Sequence, residues 1–179
     1  MTSPYLKGHH TPVPGERVAE DLPVWGELPR DLRGTFARNT PNPRFAPPGR
    51  YHWFDGDGMV HALRFHGDRV DYRNRWVRTP GLAAEEEAGR ALWGGILDPV
   101  DLSNPRGPVK DTANTHLIAH QGALLATWWL SGRPAALSPD TLETLPAPSW
   151  LAALGKRTVA AHPKVDPRTG ELFFMGYAM

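Results

Sequence analysis

Eight histidines and no cysteine define the chemistry open to this chain. Imidazole, carboxylate and hydroxyl groups can bind a metal or move protons, whereas thiolate sites, disulfides and a Cys nucleophile are excluded. The histidines are His9, His10, His52, His61, His66, His116, His120 and His162. His162 stands directly before Pro163, so a strand that carries it lacks one backbone donor. That suits a strand end facing a cavity, where an imidazole can ligate a metal. One side chain makes no metal site, and a lone His among apolar neighbours is more often a hydrogen-bonded structural residue. His52 with His61, and His116 with His120, are the pairs at close spacing, and the second pair, flanking a turn, is read as facing water. Asp55-Gly56-Asp57-Gly58 has the Asp-x-Asp spacing of a calcium loop, but the twelfth position holds His66 rather than Glu. A sharp turn whose two glycines take unusual dihedrals accounts for the run more simply. Glycine-rich phosphate loops, His-Glu-x-x-His and Gly-x-Ser-x-Gly are all missing, which removes the nucleotide, zinc-protease and hydrolase readings.

The element that must position His162 is a hairpin. Residues 158–165 and 171–177 read as β-type runs flanking Asp-Pro-Arg-Thr-Gly, whose Pro presets φ and whose Gly supplies a left-handed position. The clearest hairpin lies earlier, with strands at 59–65 and 69–78 around a Gly67-Asp68 turn. A strand at 34–38 precedes it. Further pairs are expected at 109–119 with 123–129 and at 134–137 with 141–145. Residues 83–93, with Glu85, Glu86 and Glu87, form the one helical candidate, the acidic run suiting a helix N-terminal end. Residues 1–21 mix Pro, Gly, His and charge without periodicity and read as an extended N-terminal arm. Recurrent strand pairs indicate an all-β array, sandwich or propeller, and no repeat of fixed period decides between them.

Bulk composition agrees with one domain. The 179 residues include 18 Gly and 19 Pro, too many for a helix bundle. A net charge of +1 gives no field to recruit nucleic acid. The N-terminus has no apolar h-region and no run approaches the ~20 apolar residues of a spanning helix, so a soluble cytoplasmic protein is expected.

Several runs together resemble the carotenoid cleavage oxygenase family, which includes stilbene-cleaving enzymes. They are residues 31–43, 51–62, 72–79, 111–115, 137–145 and 161–177, in family order across nearly the whole chain. The pairing of His-Trp-Phe-Asp-Gly-Asp-Gly-Met-Val-His with Ala-His-Pro-Lys-Val-Asp-Pro is specific to that family. The resemblance implies a seven-bladed β-propeller, here incomplete: the first blades over residues 22–179 plus the arm, truncated after the hairpin that carries the first iron ligand. It implies Fe(II) on four histidines, backed by glutamates, inserting O₂ across a conjugated C=C bond to give two carbonyl products.

On that resemblance His162 matches the first iron ligand and Thr115 a residue bordering the open iron position. Trp129 stands where relatives carry a second-shell glutamate, and Trp128 where stilbene cleavers carry a phenol-gripping lysine. The other three ligand positions fall outside the sequence, so the isolated chain is expected to be marginally stable and catalytically silent. The function implied is the N-terminal part of a carotenoid- or apocarotenoid-cleaving dioxygenase. A stilbenoid-cleaving relative and a non-catalytic β-sheet module, its apolar ligand lined by some of the seven tryptophans, are the alternatives. The partners implied are an apolar conjugated small molecule and O₂, with a peripheral membrane contact of the full-length form and a partner chain at the open sheet edge as further contacts.

Overall fold

The computed structural model describes residues 3–177. Its first sheet forms around the predicted hairpin. Strands β3 (Gly58–His66) and β4 (Val70–Trp76) pair antiparallel across a turn in which Gly67 takes φ +96°, a conformation glycine adopts without a steric penalty. β2 (Arg33–Pro41) flanks β3 along its whole length, and β1 (Arg17–Ala19), from the segment read as an arm, flanks β4. The order is therefore β1-β4-β3-β2.

The second sheet has the order β5-β6-β7, from β5 (His116–His120), β6 (Ala123–Thr127) and β7 (Ala135–Leu137). A Gln121-Gly122 turn with φ +46° and +77° joins β5 to β6, the two-residue geometry that matches strand twist. Alternation along β3 divides its side chains between two cores. Val60 and Ala62 pack with Val77, Ala113, Ala126, Leu137 and Leu142, fusing the two sheets. Met59, on the opposite face, packs with Trp76 and Leu82. A short third ladder, β8 (Lys164–Val165) with β9 (Leu172–Phe173), closes through the expected turn, where Gly170 takes φ +74° and its N–H donates to the Asp166 carbonyl.

The helices correct the sequence reading. Helix α1 spans Pro80–Ala88 rather than 83–93. Thr79 caps it by accepting the Leu82 N–H, Pro80 fits its first turn, and left-handed Gly89 stops it. A second helix, α2 (Trp150–Ala153), was not foreseen, because Pro146 and Pro148 mark its surroundings as loop. Strand lengths differ too. β2 runs from 33 to 41 because all of β3 is available to pair with it. Residues 109–115 leave the expected strand: the Asp111 carboxylate takes the Ala113 N–H, Ala113 turns to φ +46°, and the Asn114 side chain ties the segment to the Phe54 and Gly56 carbonyls. Residues 141–145 contribute one bridge, Thr144 to Leu137.

Loss of the Thr79 cap in Thr79→Ala should cost about 1 kcal/mol, measured by urea unfolding. An unchanged midpoint would show that packing alone ends α1.

Candidate functional site

The stretch 110–115 is the hub of the site. Lys110 Nζ lies 2.5 Å from Glu85 Oε2 of α1 and 2.5 Å from Asp57 Oδ1 just before β3, all three side chains under 10% exposed. The contact to Asp57 is an ion pair rather than an aligned hydrogen bond. Two residues on, the Thr112 carbonyl accepts the Gly58 N–H, and Asn114 Nδ2 donates to the carbonyls of Phe54 and Gly56.

Asp55 and Asp57 therefore serve structure rather than calcium. Asp55 accepts the N–H groups of His52 and Ile96, and Asp57 accepts that of Arg44. The glycines between and after them take no left-handed dihedral, contrary to the expectation from sequence; close approach is what requires them. A Cβ on Gly56 would stand 2.6 Å from the Tyr51 hydroxyl, and one on Gly58 2.6 Å from the Ala113 carbonyl oxygen.

Thr115 follows. Its hydroxyl donates to Asn114 Oδ1 and accepts the Trp129 N–H, each at 2.9 Å. The Trp129 carbonyl accepts from the Tyr177 hydroxyl, while its ring tilts against Phe54 at 5.8 Å and stands edge-on to Trp128 at 6.2 Å. Both tryptophans line a cavity of about 370 Å³ walled also by Tyr51, Phe54, Trp93 and Lys110. Neither indole N–H has a partner among the described residues, although both are buried, a cost of about 1–3 kcal/mol each. Thr115 and His162 do not line this cavity.

His162 lies beyond it. Main-chain bridges from Ala160 to Trp128 and from Val159 to Gly132 lay the approach segment along the Trp128 turn. The chain then leaves strand geometry: His162 adopts φ +65° immediately before the buried Pro163. A non-glycine residue there is strained by about 1–3 kcal/mol, and a following proline already restricts its backbone. The predicted run 158–165 thus reduces to Lys164–Val165. The His162 side is exposed, and its ring meets that of His116 edge-on at 4.9 Å. Burial, then the nearby His162 and Lys164 charges, hold the His116 pKa below the usual imidazole value.

The other histidines separate. His52 accepts the Phe54 N–H, and His61 is bonded to the Tyr72 hydroxyl at 2.7 Å. His120, expected to face water, is 9% exposed and edge-on to Trp150, since α2 covers it. Among the described residues no three His, Asp or Glu side chains converge on one point. His162 and its His116 neighbour do not by themselves make an iron site.

The sequence model of the RPE65 (retinal pigment epithelial membrane protein) family matches residues 10–179. The chain belongs to that family, the carotenoid cleavage oxygenases. It is 40% identical over 176 residues to isoeugenol monooxygenase of Pseudomonas nitroreducens, covering 98% of this chain and 37% of that protein. It is also 40% identical over 193 residues to carotenoid 9,10(9',10')-cleavage dioxygenase 1 of Phaseolus vulgaris, covering 97% and 35%. The crystal structure of Pseudomonas brassicacearum lignostilbene dioxygenase superposes with a TM-score of 0.85 at 36% identity, covering 96% of this chain and 36% of that one. A Synechocystis apocarotenoid oxygenase variant gives 0.75 at 31%, covering 92% and 37%. The chain thus spans about a third of the length of these relatives, and its sheets are those of an incomplete β-propeller. No helix among the described residues is long and apolar enough to cross a membrane.

Sequence reasoning missed Tyr51 and Lys110. Tyr51 adjoins the His-Trp-Phe-Asp run, but no spacing rule marks a residue that will wall a cavity. Asp111 also escaped notice. Its carboxylate accepts the N–H groups of Ala113 and Arg133, yet burial outweighs them and raises its pKa from 3.8 to about 6. The folded state therefore keeps a proton there that the unfolded chain has already released. The stability this contributes is complete below about pH 4 and is lost as pH rises through 6. Relative to Asp111→Asn, the protein should lose on the order of 2 kcal/mol between those limits, measured by urea unfolding across pH; parallel profiles would contradict the assignment.

Proposed function

We propose that these residues form the N-terminal part of an iron(II)-dependent dioxygenase that cleaves a conjugated C=C bond of a carotenoid or apocarotenoid with O₂, yielding two carbonyl products. His162 is one of its imidazole ligands. The observation that carries this is the presentation of that side chain: strained left-handed backbone, a buried proline behind it and an imidazole alongside, in a chain of the oxygenase family. Strained backbone conformations cluster at functional sites, and the exposed His162 holds one. Iron, when bound, supplies O₂ activation. The chain's own contributions are the ligand, the aromatic cavity that excludes water from an apolar substrate, and Thr115, which with its hydroxyl engaged on both sides acts by position rather than by proton transfer. Stilbenoid cleavage is the second reading, favoured by the close superposition on the lignostilbene enzyme. Against it, the family resemblance places Trp128 where stilbene cleavers carry the phenol-gripping lysine.

A chimera tests the assignment directly. Residues 3–177 would replace the corresponding third of the lignostilbene dioxygenase. The chimera should carry about one iron per chain and release carbonyl fragments from an apocarotenal, detected by mass spectrometry. His162→Ala in the same chimera should lower both at least about tenfold. Full iron and undiminished cleavage in that variant would remove His162 from the metal.

A further inference from the structure

The two faces of the first sheet are not alike. One carries Val60 and Ala62 into the core shared with the second sheet. The other is covered toward its Trp76 end, where Met59 and Trp76 pack with Leu82 of α1 and with Val13, but Phe36 on the same face is 60% exposed. On this face the pairing register sets Arg38, His61, Asn74 and Arg17 in one row across all four strands, a span of about 14 Å at the spacing of neighbouring strands. Directly opposed residues share a face. The next row is Phe36, Leu63, Tyr72 and Ala19, and the Tyr72 hydroxyl is bonded back to His61 Nδ1 at 2.7 Å. Neither row holds a carboxylate. Arg44, Arg64, Arg75 and Arg78 each reach one elsewhere, whereas the side chains of Arg17 and Arg38, both exposed, have no partner among the described residues. Both charges act on the floor of the face. Burial raises the Tyr72 pKa against the opposing pull of Arg38 and Arg17, and burial followed by Arg38 lowers that of His61.

We infer that this face is an interaction surface for a protein face that presents a carboxylate to Arg17 and Arg38 and an apolar side chain to Phe36. The inference rests on the reading of these residues as part of a longer oxygenase, because the occupant is a further sheet of that protein; what it adds is the chemistry of the contact. The two rows have the composition of an interface centre, with Arg, Tyr and Phe present and Asp and Glu missing. The surface is broad rather than concave. Arg17, Phe36, Arg38 and His61 line neither the cavity of about 370 Å³ nor the one of about 130 Å³, so a small molecule finds no enclosure here. A second copy docked face to face would set guanidinium against guanidinium, and the charge that draws a carboxylate works against that pairing. A carboxylate between the two planar forks accepts from both, and its arrival pairs two cations that this chain leaves unpaired.

Arginine modification reads the contact without iron or oxygen, so its outcome is separable from that of the cleavage reaction. Phenylglyoxal is applied to the full chain and to the chimera with the lignostilbene dioxygenase, and the labelled peptides are followed by mass spectrometry. Arg17 and Arg38 should react freely in the full chain and at least about tenfold more slowly in the chimera, where the rest of the oxygenase covers them. Burial alone would slow them too, so the charge is tested by combining Arg17→Gln with Arg38→Gln. That pair should lower the urea midpoint of the chimera and leave the midpoint of the full chain unchanged, and Arg38→Lys, which keeps the charge, should lower the chimera's midpoint less. Equal reactivity in the two proteins, a chimera midpoint indifferent to the substitutions, or a loss of stability in the full chain itself would overturn the inference. So would protection of both arginines in the full chain by inorganic phosphate, which would make the face a small-anion site, or by dimerisation of that chain.

Discussion

Lys110 sits between two buried carboxylates, Asp57 and Glu85, at 2.5 Å from each, and the placement of everything functional follows from that contact. One carboxylate belongs to the approach to β3, the other to α1, and the ammonium belongs to the irregular segment that leads to Thr115. Two negative charges and one positive in a nearly dry setting tolerate no loss of the cation. The triad therefore ties helix, sheet and site segment together, alongside the apolar clusters beside it. From Lys110 the constraint passes through the Thr112 carbonyl to Gly58 and through Asn114 to the turn at Phe54 and Gly56. Thr115 carries it to the Trp129 main chain.

The same relay reaches His162. Trp128 and Gly132 flank the turn that Thr115 helps to hold, and both form the bridges that align the approach to His162. Ser131, itself left-handed at φ +74°, shares a 2.6 Å hydrogen bond with Thr158. Strained positions at Ala113, Ser131 and His162 thus lie along one connected path. Such conformations persist only where surrounding contacts over-determine them, and the hydrogen bonds of Asp111 to both Ala113 and Arg133 are among those contacts. The exposed imidazole at the end of this path is the outcome of a rigid support, not of a loose loop.

Much of this architecture was legible in the sequence because it depends on local rules. The β3–β4 hairpin followed from alternation and a Gly-Asp turn, and the final hairpin from Asp-Pro-Arg-Thr-Gly. The family resemblance carried the propeller, which no internal repeat disclosed. What was not legible depends on groups distant in sequence. Residues 109–115 look strand-forming until Asp111 takes the Ala113 N–H and the Asn114 side chain reaches across to the Phe54 and Gly56 carbonyls. The helix begins at Pro80 because Thr79 caps it, a signal weaker to the eye than three glutamates downstream. Gly56 and Gly58 were read as sites of unusual dihedrals, whereas Tyr51 and Ala113 press on them from other parts of the chain. Periodicity likewise says nothing of which tryptophans or which buried lysine will line a cavity.

Amide hydrogen exchange on Lys110→Met measures the dependence on the triad most directly. Removing the ammonium leaves two carboxylates buried and unopposed, a loss of about 3–5 kcal/mol. The amides of Gly58 and Trp129, which donate to Thr112 and Thr115, should lose protection together with those of α1. If faster exchange were confined to α1 while Gly58 and Trp129 kept their native protection, the site would be held independently of Lys110 and this account of its rigidity would be wrong.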